Sequence, residues 1–192
     1  MGQPREASRR PAVSTFGHLR EVAAQFCPPY EVRAEDEWAL RISLCDPVGR
    51  RPPLTIRHRH ERRMLLKANY LVAEATVPGQ GPPEDGELVF RFRGSLRRQR
   101  PSFGWRRPVV DGEDWSRRLE APLMDGVRRI NAIESLRSGW TARDRTWHFQ
   151  LQTISGSMVG GFMSPLPIAV PLEREEALGV IALVDALAAT AS

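Results

Sequence analysis

Residues 64–77 read MLLKANYLVAEATV, and two structures compete for them. Their Leu, Lys, Ala and Glu content suits a helix. Their place, between PLTIRHRH (53–60) and ELVFRFRG (87–94), suits a long strand. In ELVFRFRG, Leu88, Phe90 and Phe92 alternate with Val89, Arg91 and Arg93, the period of two expected of a half-covered strand. Position outweighs composition, and 64–77 is expected to be a strand. The centre of the chain then forms one strand-rich region. The alternation implies an antiparallel sheet with one covered side and one wet side.

Working outward, EWALRISLCD (37–46) alternates Trp38, Leu40, Ile42 and Leu44 with Ala39, Arg41, Ser43 and Cys45. RTWHFQLQTIS (145–155) places Trp147, Phe149 and Leu151 on one face. Both predict strands, and SMVGGFMS (157–164) and LPIAVPL (166–172) read as short ones. DPVGRRPP and PGQGPPEDG are turn segments, and Ser95 to Val110, with few apolar residues, reads as a loop. A helix is expected from Ser14 or Thr15 to Phe26, because Phe16, Leu19, Val22, Ala23 and Phe26 share one face. Cys27-Pro28-Pro29 ends it. A second helical region is expected over Glu113–Arg137, broken around Pro122 and Gly126. A third runs from Leu172 to Ala189, with Glu173, Glu175 and Glu176 at the positive end of its dipole.

These elements assemble into one α+β domain over residues 13–192, behind a flexible arm at 1–12. The sheet is expected to be single and antiparallel, with a mixed sheet as the alternative, and covered by the N-terminal, middle and C-terminal helices. YEVRAEDEWALRISL and GWTARDRTWHFQLQT each carry an Ala, a charged turn, a Trp and an alternating strand. That echo suggests a loose helix-plus-hairpin repeat. In order of elements alone the chain resembles small secretion-chaperone-type α+β domains, and a likeness of fold does not set function.

The 192 residues are 41% hydrophobic and 27% charged, the balance of a globular protein. No signal peptide is evident in MGQPREASRRPAVS. The apolar run ALGVIALVDALAATA is too short to span a bilayer and is interrupted by Asp185. A cytoplasmic protein without membrane partners is expected. Cys27 and Cys45 form no CxxC pair and are expected to be buried thiols. Of the 28 basic residues only Lys67 is lysine, so the arginine content reflects coding bias as much as ligand chemistry. Distribution is more telling. Residues 50–107 hold 14 basic and 5 acidic side chains, a local excess of +9 within a net +5.

That excess centres on RFRGSLRRQRPSFGWRRP (91–108). Arg97, Arg98, Arg100, Arg106 and Arg107 interleave with Phe103 and Trp105, and no acid intervenes. Arg91, Arg93 and Arg57 extend the patch along neighbouring strands. Guanidinium forks bind carboxylate and phosphate, and arginine and aromatic side chains dominate interface hot spots. The expected function is a non-catalytic binding or adaptor protein whose partner is an acidic protein surface. The alternative partner is nucleic acid, with the aromatics stacking on bases. A second alternative is an enzyme with a site near Ser157, in ISGSMVGGF, yet the glycines match neither a GxSxG elbow nor a Walker loop. His58 and His60 in IRHRHERR could share a metal only with a third ligand, which His18 and His148 do not supply at a recognisable spacing. No catalytic residue, metal or cofactor is therefore assigned.

Overall fold

The computed structural model describes residues 15–26, 30–34, 39–44, 52–63, 66–93, 100–161 and 167–190. In chain order the elements are α1 (Thr15–Ala24), β1 (Tyr30–Ala34), β2 (Ala39–Leu44), β3 (Leu54–Arg63), β4 (Leu66–Pro78), β5 (Gly86–Arg93), β6 (Arg100–Trp105), α2 (Gly112–Arg128), β7 (Ile133–Thr141), β8 (Thr146–Gly161), β9 (Ile168–Ala169) and α3 (Arg174–Thr190). The fold is α+β. Among the described residues every strand pairing is antiparallel, in a nine-stranded sheet ordered β1-β2-β3-β4-β8-β7-β5-β6, with β9 on β8.

The deciding stretch is a strand. β4 pairs along its length with β3 on one side and β8 on the other, and that pairing overrides its helical composition. Leu71, Ala73, Ala75 and Val77 turn to the core, while Glu74 and Thr76 turn away. The same parity runs through the neighbours. Leu40 and Ile42, Leu54 and Ile56, Leu88 and Phe90, Leu136 and Trp140, and Trp147, Phe149 and Leu151 are all buried. They join Leu19 and Val22 of α1, Leu119, Leu123 and Val127 of α2, and Val180, Leu183 and Leu187 of α3 in one hydrophobic cluster. Each large side chain buried there stabilises the fold by roughly 1.5–3 kcal/mol.

Because the β7–β8 hairpin lies between β4 and β5, the 79–85 connection must pass the ends of two strands. Trp140 and Trp147, directly opposite each other across β7 and β8, fasten it there. Their indole N–H groups donate to the carbonyls of Pro82 (2.7 Å) and Gln80 (2.9 Å). Two buried donors are satisfied, and a long crossover is fixed.

Several expectations are corrected. Within the segment read as a loop, Arg100–Trp105 forms strand β6 on β5. An edge strand needs few apolar positions, and here Phe103 packs on Phe90 with ring centroids 5.3 Å apart. The helix expected over 113–137 ends at Arg128, and Ile133–Thr141 is β7. Pro122 and Gly126 do not break it. Pro122 is exposed, while Leu119, Leu123 and Val127 anchor the opposite side in the core. Gly126 marks a helix crossing, where a Cβ would stand 2.9 Å from the Gly179 carbonyl of α3. SMVGGFMS is not a separate strand, because β8 runs on to Gly161. It does so through a bulge opposite Asn69–Leu71, where Gly156 adopts φ +79°. The 1–12 arm, both cysteines and the Glu35-Asp36-Glu37 turn lie outside the described residues.

Candidate functional site

The arginine–aromatic stretch is divided by β6. Phe103 is buried, and Trp105 is half-buried, packed on Trp147 at 6.1 Å between ring centroids. The indole N–H of Trp105 donates to the Gly112 carbonyl. Neither aromatic ring stands free for a partner, because alternation along β6 turns both toward the core. Arg106 is exposed but paired with Glu87 at 2.9 Å. Arg91 and Arg107 are exposed. Arg93 and Arg100 face each other in the β5–β6 register, and Arg97 and Arg98 lie outside the described residues.

Arg57 leads elsewhere, to the sheet face turned away from the core. Cross-strand partners there form one continuous row. Arg33 on β1 stands opposite Arg41, Arg41 opposite Thr55, Thr55 opposite Glu74, Glu74 opposite Gln150, and Gln150 opposite Arg137. Two parallel rows flank it. One runs Ala39, Arg57, Val72, Gln152, Ser135, and the other runs Thr76, His148, Gly139, Glu87. Part of these rows lines an open concavity of about 790 Å³, with Arg41, Arg57, Glu74, Arg137, His148 and Gln150 in its wall.

The polar groups on this floor are wired together. Arg57 Nη2 lies 2.9 Å from Glu74, and Gln150 Nε2 donates to the same carboxylate. Arg137 Nε donates to Gln150 Oε1 at 2.7 Å, and Arg137 Nη1 lies 3.8 Å from Glu87, which also holds Arg106. The chain Arg57–Glu74–Gln150–Arg137–Glu87–Arg106 therefore crosses most of the sheet. At this exposure each ion pair adds no more than about 1 kcal/mol to stability. The wiring instead fixes the direction of the guanidinium forks. Across the face, Arg41, Arg57, Arg59, Arg91 and Arg137 outnumber Glu61, Glu74 and Glu87. Arg33 and Arg41, like charges directly opposite on β1 and β2, are an arrangement that costs stability.

Sequence reading missed Arg41, Arg137, Glu74, Glu87 and Gln150. Arg41, Glu74, Glu87 and Gln150 fell on segments expected to be strands, whereas Arg137 fell in the expected helical region, and only register brings them onto one face.

Ser157 and His148 sit near opposite ends of β8. Ser157 is fully buried, accepts from the Leu71 N–H at 2.8 Å and donates to the Thr153 carbonyl at 2.6 Å. Its hydroxyl replaces a missing ladder partner at the bulge. His148 is on the outward face, near Thr76 and Thr146. The two make no nucleophile–base pair. His60 is exposed and bonded to Asn69, whereas His58 turns under α1 to stack on His18. Among the described residues no group of three or more His, Cys, Asp or Glu side chains could hold a metal ion, and no helix is long and apolar enough to cross a membrane.

No protein-family model, curated protein or solved structure matches the chain.

Proposed function

We propose that the protein is a non-catalytic binding protein that captures an acidic segment of another protein on the outward face of its sheet. The observation that carries this reading is the set of guanidinium groups lining the concavity, Arg41, Arg57 and Arg137, of which Arg57 is held by Glu74 and Arg137 by Gln150. Arginine forks held by neighbouring acceptors are set for bidentate binding of carboxylates. Arg91 and Arg107, exposed beyond the β7 side of the row, extend the positive field.

A protein partner suits the surface better than nucleic acid. Sequence-tolerant binding of single strands uses exposed aromatic rings to stack bases. Phe90, Phe103, Trp105, Trp140 and Trp147 all belong to or pack against the core cluster instead. Glu74 and Glu87 in the lining also repel a continuous phosphate backbone, whereas spaced carboxylates can sit beside the arginines and avoid both.

The test is fluorescence anisotropy with a labelled Asp/Glu-rich peptide and with labelled oligo(dT), each over a salt series. Peptide binding is expected to weaken about tenfold in an Arg57→Ala/Arg137→Ala variant, because two ion pairs at this exposure contribute up to about 1 kcal/mol each. Unchanged peptide binding in that variant rejects the site. Tight oligo(dT) binding with a steep salt dependence replaces the acidic segment with nucleic acid as ligand.

A further inference from the structure

On the opposite side of the sheet, α1 rests on two imidazoles that no other function has absorbed. His18 of α1 and His58 of β3 stack with centroids 5.7 Å apart and ring planes 14° from parallel. His18 is 3% exposed and neither of its ring nitrogens has a hydrogen-bond partner among the described residues. His58 Nε2 lies 2.9 Å from the Gly156 carbonyl, so that nitrogen carries a proton and donates.

We propose that His58, stacked on His18, works as a proton-operated latch: with His58 neutral the stacked pair holds α1 on the sheet, and a proton taken up by His58 favours release of the helix.

The charges around the pair leave little to offset a proton. On α1, Glu21 approaches His18 Nδ1 at 3.6 Å but is 71% exposed and well screened, and Arg20 is turned over the Phe16 ring. On β3, His60 is engaged with Asn69 of β4. The bulge of β8 offers the Gly156 carbonyl and the Ser157 hydroxyl, and Ala169, Pro171 and Leu172 beside His18 carry no charge. Among the described residues no carboxylate except Glu21 lies within ion-pair distance of either ring. Burial pushes His58 below its ordinary 6.5, and the nearby His18 pushes the same way. The hydrogen bonds to the Gly156 and Thr15 backbone oppose them.

The sign follows. A base whose pKa is lowered in the docked state binds protons more tightly when α1 is released. The docked state is therefore fully favoured above 6.5 and loses ground as pH falls from there toward the lowered value.

Native-state amide exchange on the full chain tests the latch. Protection factors, corrected for the intrinsic pH dependence of exchange, are compared at about pH 7.5 and about pH 5. Protection at Leu19, Val22 and Ala23 is expected to fall about tenfold more than at Leu136 and Leu151. A His18→Phe/His58→Gln variant, which cannot charge, should lose that difference, and a His60→Gln control should keep it. Protection of α1 that tracks the sheet across the pH range overturns the latch, as does a pH response that survives in the double variant.

Discussion

Trp105 donates its indole N–H to the Gly112 carbonyl and packs on Trp147, their ring centroids 6.1 Å apart. One side chain thus ties the end of β6 to the first residue of α2 and to the centre of the sheet. Trp115 and Trp140 approach the same Trp147 ring at 6.4 and 5.2 Å. A tryptophan placed this way belongs to the core, whatever the arginines around it do.

Truncation shows the difference. Trp105→Ala is expected to destabilise the fold by about 2–4 kcal/mol, through lost ring packing and the lost indole hydrogen bond to Gly112. Trp105→Phe keeps much of the ring contact and should cost less. Urea denaturation measures both. Loss of acidic-peptide binding by a fully folded Trp105→Phe variant would instead return Trp105 to the binding surface.

Much of the fold was legible in the sequence, and little of the site. Leu88/Phe90 and Trp147/Phe149/Leu151 announced their strands, because burying one face imposes period two over short distances. Residues 64–77 carried a helix composition that only pairing on both sides could override, and β6 hid because an edge strand that turns only Phe103 and Trp105 to the core, among arginines, shows little apolar signal. The site is harder still. Glu74, Gln150 and Arg137 are far apart in the chain and become neighbours only through a hairpin inserted between β4 and β5. No local pattern encodes that insertion. His18 and His58 meet for a similarly non-local reason, because α1 folds back across β3.

Glu176 is a buried carboxylate with a structural task. Oε1 accepts from the Asn131 N–H at 3.0 Å and the Ser155 hydroxyl at 2.7 Å, while Oε2 accepts from the Glu173 N–H at 3.1 Å. The last of these caps the first turn of α3. Glu176→Ala leaves three donors in need and is expected to cost about 2–4 kcal/mol. Glu176→Gln retains an acceptor and should lose less. Equal urea midpoints for wild type and Glu176→Ala would remove the carboxylate from the account of stability.

The crossing of α2 and α3 gives a test with an unusual sign. In an open helix, Gly→Ala stabilises by about 1 kcal/mol. At Gly126 the added methyl meets the Gly179 carbonyl at 2.9 Å and the Leu183 side chain at 2.7 Å. Backbone has to move, and overpacking costs about 1–3 kcal/mol. Gly126→Ala is therefore expected to be net destabilising by about 1–2 kcal/mol, read as a lower melting temperature. A higher one would show that the helices separate without strain.

Gly139 offers the cleanest separation of binding from folding. It lies on the floor of the concavity between His148 and Glu87, and a Cβ there meets nothing nearer than 4.0 Å. Gly139→Leu projects a branched side chain into the space proposed for the ligand while leaving every arginine in place. A strand interior favours Leu over Gly, so stability is expected to hold or to rise by a few tenths of a kcal/mol, roughly. Affinity for the acidic peptide should nevertheless fall about tenfold or more, since a buried leucine would displace carboxylates from the Arg57 and Arg137 forks. Anisotropy and thermal melting on the same preparation give both numbers. If the leucine variant is as stable as wild type and binds the peptide equally well, the ligand does not occupy this face, because no folding defect is left to explain the result.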